Sequence, residues 1–315
     1  MNIGSTHAIS GKVEVETLSV VVCQIQPASA RCMADVDRNV DQLIDYMDKA
    51  SSGFPGYDLI VTPECALQGY NPEFWQSVML EEDATQIERL TAKCKELDVW
   101  GVFNPWVRQP GKKAPVNLGI IVNNEGEIVY KYTKMNQWIP GEPTYPGAKQ
   151  TVVDGPKGSK LSLIICADGD YPETWREAAF QGANVIIRIA HYMAPWDQAW
   201  EITNKAGAYC NQCYVVASNS AGLDESYAYF GRSMILNPDG TIICEAPTGM
   251  PWIIKADLYP QLIDNMRRNA VTGNFLWTFR HRGASCEDFG GAGDTECRYE
   301  AYADWSKDAA TPLPR

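Results

Sequence analysis

Cys166 ends an apolar run, Leu161-Ser162-Leu163-Ile164-Ile165, and polar and turn residues follow at once: Ala167-Asp168-Gly169-Asp170-Tyr171-Pro172-Glu173. A strand that breaks there and passes into a helix sets the thiol on an elbow. A nucleophile can protrude from such a turn, and helix amides close by can stabilise negative charge. Glu64 also follows a short apolar run, in Val61-Thr62-Pro63-Glu64-Cys65. A carboxylate at a strand end serves as a general base when partial burial raises its pKa. Lys134 follows the strand-like stretch 128–132 and precedes Met135-Asn136-Gln137-Trp138. An ammonium there can donate to a developing oxyanion and lower the pKa of a neighbouring thiol. Each residue has an ordinary reading by itself: a cysteine closing a strand, a solvated loop glutamate, a surface lysine. Together they say more, because strand ends in sheet enzymes converge on one edge, where active sites form. Glu142, in Pro140-Gly141-Glu142-Pro143, follows Lys134 closely enough to line the same pocket, or is a plain turn residue.

Other chemistries lack their residues. There are three histidines. His7 lies in a probable extension and His281 sits between two arginines, so a Cys–His arrangement would depend on His191. Cys210-x-x-Cys213 is the one close cysteine pair, with no second pair to complete a zinc site. It falls at a helix end before a strand, the wrong place for a thioredoxin-like motif. No metal and no cofactor are expected. Gly290, Gly291 and Gly293 follow no strand and are no dinucleotide fingerprint. Trp138, Tyr192 and Trp196 are packing residues or ligand contacts.

The elements that must hold these residues alternate between strand and helix patterns. Strands are expected at 18–25, 59–62, 99–104, 161–165, 185–189, 214–218 and 252–257. Hairpins are expected at 116–122 with 127–132 and at 233–237 with 241–244, around Asn123-Asn124-Glu125-Gly126 and Pro238-Asp239-Gly240. Helices fit 36–50, with Asp35 as N-cap, then 84–97, 173–181, 198–209 and 260–268. The hairpins make the sheets mixed, so two sheets with helices outside suit the chain better than one doubly wound sheet. Residues 1–16 read as an extension, 17–283 as the folded domain, and 284–315 as a tail that packs on a partner subunit or stays mobile.

The chain has 315 residues, 45% of them hydrophobic and 21% charged, with net charge −12. A single large α/β domain can take up that much apolar sequence. The acidic surface and the lack of a basic run argue against nucleic acid. No apolar run nears the roughly 20 residues that span a bilayer, and the first residues do not resemble a secretory signal. A cytoplasmic enzyme with its ten cysteines reduced is the expectation.

These motifs, in their order, resemble the nitrilase superfamily, and within it the aliphatic amidase and formamidase branch. The segments are Pro63-Glu64-Cys65-Ala66-Leu67-Gln68-Gly69, Tyr130-Lys131-Tyr132-Thr133-Lys134, Glu142 with Tyr145-Pro146-Gly147, and the run from Ile165 through Cys166 to Glu173. The resemblance implies a four-layer α-β-β-α sandwich with mixed sheets, and a homo-oligomer, dimer or hexamer. It implies that Cys166 attacks an amide carbonyl, Glu64 is the base, and Lys134 with a backbone N–H near Cys166 holds the oxyanion. Glu142 would orient substrate and water. Trp138, Tyr192, Ala167 and His191 would line the pocket.

Four residues beside these positions depart from the branch. Cys65 stands for tyrosine, Thr144 for tryptophan, Ala167 for a polar residue, and His191 for glycine. Losing two aromatics should widen the pocket, while His191 adds bulk or a hydrogen bond. Four readings follow: hydrolysis of a small carboxamide, of a nitrile, of an N-carbamoyl compound, or an inactive binding protein.

Overall fold

A computed structural model describes residues 15–139 and 141–263 of the chain. In chain order the elements are β1 Leu18–Gln24, α1 Met33–Gly53, β2 Leu59–Val61, α2 Trp75–Val78, α3 Thr85–Leu97, β3 Trp100–Phe103, β4 Trp106–Val107, β5 Val116–Val122 and β6 Ile128–Thr133. There follow β7 Val153–Asp154, β8 Lys160–Ile165, α4 Pro172–Phe180, β9 Val185–Ala190, α5 Asp197–Asn211, β10 Tyr214–Asn219, β11 Ala221–Leu223, β12 Ala228–Phe230, β13 Met234–Leu236, β14 Ile242–Glu245 and β15 Trp252–Leu258.

Most strands form two mixed sheets, and β11 pairs with β12 in a separate two-stranded hairpin. One mixed sheet has the order β15-β1-β2-β3-β5-β4, with β6 also paired to β5; the other runs β14-β13-β10-β9-β8-β7. Period-two alternation sorts β1 between layers. Leu18, Val20 and Val22 join the core shared by the two sheets. Val21 and Cys23 face the other way, towards Val36, Val40, Leu43 and Met47 of α1 and Leu90 of α3. The spacing of those α1 residues is a helical stripe, and burying each contributes about 1.5–3 kcal/mol before entropy is counted. An aspartate at Val40 would break this face. Trp175 and Ala178 of α4 and Trp200 of α5 cover the second sheet. The result is the expected four-layer α-β-β-α sandwich.

The sheets pack closely at β8, the strand that leads to Cys166. A Cβ on Gly119 of β5 would stand 2.3 Å from Leu163 Cδ2 of β8, so a side chain there would push the layers apart.

Most expected elements are present within a residue or three. Asp35 is not the N-cap. Cys32 holds that place, and the Asp35 carboxylate, one turn in, accepts the backbone N–H groups of Arg31 and Cys32 at 2.8 and 3.2 Å. The short pieces α2, β4, β7, β11 and β12 carry too few residues for a period to register. The extension up to residue 14, the boundary at 283 and the tail 284–315 lie outside the described residues, as does helix 260–268 beyond residue 263.

Candidate active site

Both sheets deliver residues to one cavity at their strand ends. Glu64 follows β2, where Thr62 Oγ1 donates to Val102 O at 2.8 Å. Cys65 turns the chain with φ of 58°, and its N–H donates to Asn104 Oδ1 at 2.8 Å. Lys134 follows β6, and its backbone N–H donates to Asn117 O of β5 at 3.0 Å. Cys166 follows β8, and His191 follows β9.

The Lys134 ammonium lies between two carboxylates, 2.9 Å from Glu64 Oε1 and 2.6 Å from Glu142 Oε2. Asn117 Nδ2 bridges the same pair, donating to Glu64 Oε1 at 2.7 Å and Glu142 Oε1 at 2.8 Å. Glu64 Oε2 accepts the His191 backbone N–H at 2.9 Å. Glu142 also accepts from Thr144 Oγ1 and from the Trp138 N–H, both at 3.0 Å. The side chains of Lys134, Glu64 and Glu142 are 1%, 4% and 4% exposed, so their charges are compensated inside the cluster and not by water.

Cys166 has φ of 49°, the left-handed region, which costs a non-glycine residue about 1–3 kcal/mol and lifts its side chain out of the strand. The surroundings hold the turn in place. Arg188 of β9, fully buried, donates from Nε and Nη2 to Cys166 O at 3.1 and 2.7 Å. Its guanidinium passes over Gly169, where a Cβ would come within 2.2 Å of it. Asp168 clamps the elbow to the end of β6. It accepts Ile165 N at 3.0 Å, Tyr132 Oη at 2.8 Å and Asn136 N at 2.8 Å.

One expectation about charge needs correction, and a second is outweighed. Burial does push the Glu64 carboxyl up, but the Lys134 charge and hydrogen bond, with Asn117, outweigh it and hold the group below its ordinary value. Lys134 does pull the Cys166 thiol down, but more weakly than its surroundings push it up. Burial and the neighbouring Glu64 charge push Cys166 well above its ordinary value, against a smaller pull from Lys134 and Arg188. Burial disfavours the Lys134 ammonium, yet Glu142 and Glu64 raise it well above its usual value. The resting site therefore holds an ionised Glu64 carboxylate and a neutral Cys166 thiol. Ionising the thiol with its proton lost to solvent would add a second net negative charge; passing that proton to Glu64 adds none.

The cavity has a volume of about 220 Å³ and is lined by Glu64, Lys134, Glu142 and Cys166 together with Trp138, Tyr192, Ala167 and His191. All eight residues singled out in the sequence thus meet there. Cys65 packs against Tyr70 and Trp106. His191 supplies both bulk and a hydrogen bond, to Ser220. Sequence reasoning missed Asn117, Asp168 and Arg188. Asn117 and Arg188 are polar residues inside apolar strands, fully buried, and that mismatch was the available signal. Among the described residues, no group of three or more His, Cys, Asp or Glu could hold a metal ion, and no helix is long and apolar enough to cross a membrane.

The comparisons agree with this architecture. A formamidase of Nitratidesulfovibrio vulgaris (strain DP4) is 40% identical over 281 residues, covering 88% of this chain and 82% of that protein. A formamidase of Helicobacter acinonychis (strain Sheeba) is 38% identical over 274 residues, covering 85% and 82%. The solved structure of a branch 10 nitrilase-superfamily member from Saccharomyces cerevisiae superposes with a TM-score of 0.72 at 26% identity, covering 80% of this chain and 93% of that one. An amidase from Nesterenkonia sp. AN1, solved with acrylamide added to its active-site cysteine, shares the fold with a TM-score of 0.69 at 23% identity, covering 76% and 93%. The model of the carbon–nitrogen hydrolase family matches residues 19–268, and on that match and those relatives the chain belongs to this family, within the nitrilase superfamily.

Proposed function

We propose that the chain is a thiol amidase that hydrolyses a small neutral carboxamide to its acid and ammonia, with Cys166 as nucleophile, Glu64 as base and Lys134 as oxyanion donor. The observation that carries this reading is the Lys134 ammonium within 2.9 Å of Glu64 and 2.6 Å of Glu142, in the cavity that Cys166 also lines. Sulfur attacks the carbonyl carbon while Glu64 takes the thiol proton. The oxyanion accepts from Lys134 and the Ala167 backbone N–H. Glu64 returns the proton to nitrogen, the C–N bond breaks, and ammonia leaves a thioester. Water, giving a proton to Glu64, then attacks the thioester; the acid departs and the thiol is restored. Glu142 keeps Lys134 oriented and offers a second acceptor to the substrate N–H or the water.

The names of the relatives support formamide or another short amide as substrate. An N-carbamoyl amino acid brings a carboxylate, and Lys134, the one lysine or arginine among the described residues lining the cavity, already carries two carboxylate partners. That favours a neutral substrate. A cytoplasmic homo-oligomer, dimer or hexamer, with the tail 284–315 on a partner subunit, is part of the proposal, and sedimentation of the full chain against a chain ending at 283 checks the assembly. The activity is tested by ammonia release from formamide, acetamide, larger amides, nitriles and carbamoyl amino acids. Turnover confined to amides supports the reading. Turnover of nitriles alone, or of nothing while Cys166 resists iodoacetamide, overturns it.

A further inference from the structure

One imidazole at the cavity takes no part in these steps. His191 is 6% exposed and lines the cavity together with Tyr229. Its main chain is tied to the base, since the N–H donates to Glu64 Oε2. Its ring has fixings of its own. Nδ1 lies 2.6 Å from Ser220 Oγ. Nε2 is buried without a hydrogen-bond partner, 3.6 Å from Asp224 Oδ2. The Tyr229 ring lies against it, with centroids 3.7 Å apart and planes tilted by 37°. Tyr229 is itself fixed by its hydroxyl, which donates to Asp224 Oδ2 at 2.7 Å. Asp224, in the β11–β12 turn, accepts the backbone N–H groups of Ser226 and Tyr227, both at 2.7 Å.

A ring held on one side by a hydroxyl and on its face by an anchored tyrosine cannot swing aside for substrate. A cavity of about 220 Å³ with such a wall discriminates by size. A substituent that overlaps the ring must break the Ser220 contact and the stack, and one methylene of misfit is worth about 10–200-fold in kcat/KM. We infer that His191, locked by Ser220 and Tyr229, is the specificity-determining wall that limits the carbonyl substituent to short, unbranched groups. This rests on the amidase reading.

His191→Ala and His191→Gly both keep the N–H on Glu64. They also leave Asp224 its donors from Ser226, Tyr227 and Tyr229, so the hairpin retains its ties. The ratio of kcat/KM for isobutyramide over formamide is expected to rise about tenfold in the alanine variant and further in the glycine variant. A second readout needs no turnover: the alkylation rate of Cys166 by N-ethylmaleimide relative to iodoacetamide, followed by peptide mapping, should rise in the same order. Ratios within about twofold of the parent in folded variants overturn the assignment. If the parent is alkylated yet releases ammonia from no amide, the amidase reading fails, and the alkylation ratio alone decides the wall. Should both variants lose their fold, Ser220→Ala frees the ring without removing it; a smaller rise in both ratios is expected, and unchanged ratios overturn the lock.

Discussion

Lys134 and Arg188 are buried cations that reach the surroundings of Cys166 from opposite sheets. Lys134 ends β6 and presents its ammonium to the cavity between two carboxylates. Arg188 lies within β9, and most of its partners are neutral: the Cys166 carbonyl, Thr203 Oγ1 at 2.7 Å and Asn204 Oδ1 at 3.3 Å. One carboxylate, Asp170, lies 3.1 Å away and is 36% exposed. The guanidinium also lies over Trp200 and Tyr192, 4.8 and 5.3 Å from the ring centroids. A compact, strongly hydrated ammonium needs full countercharge once dry. A planar, weakly hydrated guanidinium is served by dipoles and ring faces. Equal burial therefore supports different work: Lys134 can donate to a new negative charge, while Arg188 fixes the backbone that carries the sulfur.

The largest effect tests the centre of that comparison. Cys166→Ala should reduce ammonia release to background with the melting temperature little changed. Next comes Lys134→Ala, expected to lower kcat by at least about 10²–10³-fold, as for loss of an oxyanion donor. It also leaves two buried carboxylates facing each other, a loss of about 3–5 kcal/mol in urea unfolding. Near-normal activity in either variant would remove the mechanism. Arg188→Lys should act the other way round, with a clear drop in melting temperature and a smaller loss of kcat, because an ammonium cannot supply the fork on Cys166 O. An Arg188→Lys protein that melts normally but is as inactive as Lys134→Ala would erase the distinction.

The smallest effect is on pH dependence. Burial pushes the Glu64 carboxyl up, but the Lys134 charge and hydrogen bond hold it below its ordinary value. A depressed carboxyl adds stability above its unfolded pKa and loses it as pH falls through the folded value. The acid limb of kcat/KM should accordingly lie below the ordinary range of a glutamate carboxyl. It should move upward in Lys134→Ala, measured on the residual activity, and stay in place in Arg188→Lys. A limb between about pH 5 and 7 in the parent would point to a different base.

The main strands of both sheets and the helices α1, α3, α4 and α5 are legible because apolar period and turn residues are local properties. The strand 116–122 was read at its observed bounds, and α5 within a residue or two. Asp35 reads as a cap because a carboxylate is favoured at the cap and in the first turn alike; here it accepts from Arg31 and Cys32, ahead of the helix, where a cap would accept from residues after it. The pieces around Asp224 and Tyr229 escape the sequence, since β11 and β12 lack the run of large aliphatic residues that marks β2 and β13 at the same length. The directions of the Glu64 and Cys166 shifts were also out of reach. Each is a contest between burial and neighbours whose distances no spacing supplies.

The sequence by itself determined where strands stop and which side chain stands at each stop, because chain termination is governed by the few residues around it. It thereby set Glu64, Lys134 and Cys166 at strand ends. Only the tertiary structure decided what each would face. The donor on Glu64 Oε2 comes from 127 residues away, and the grip on the Cys166 carbonyl from the neighbouring strand. Protonation follows those contacts, since the charge that a buried group carries is chosen by the atoms packed against it and not by its neighbours along the chain.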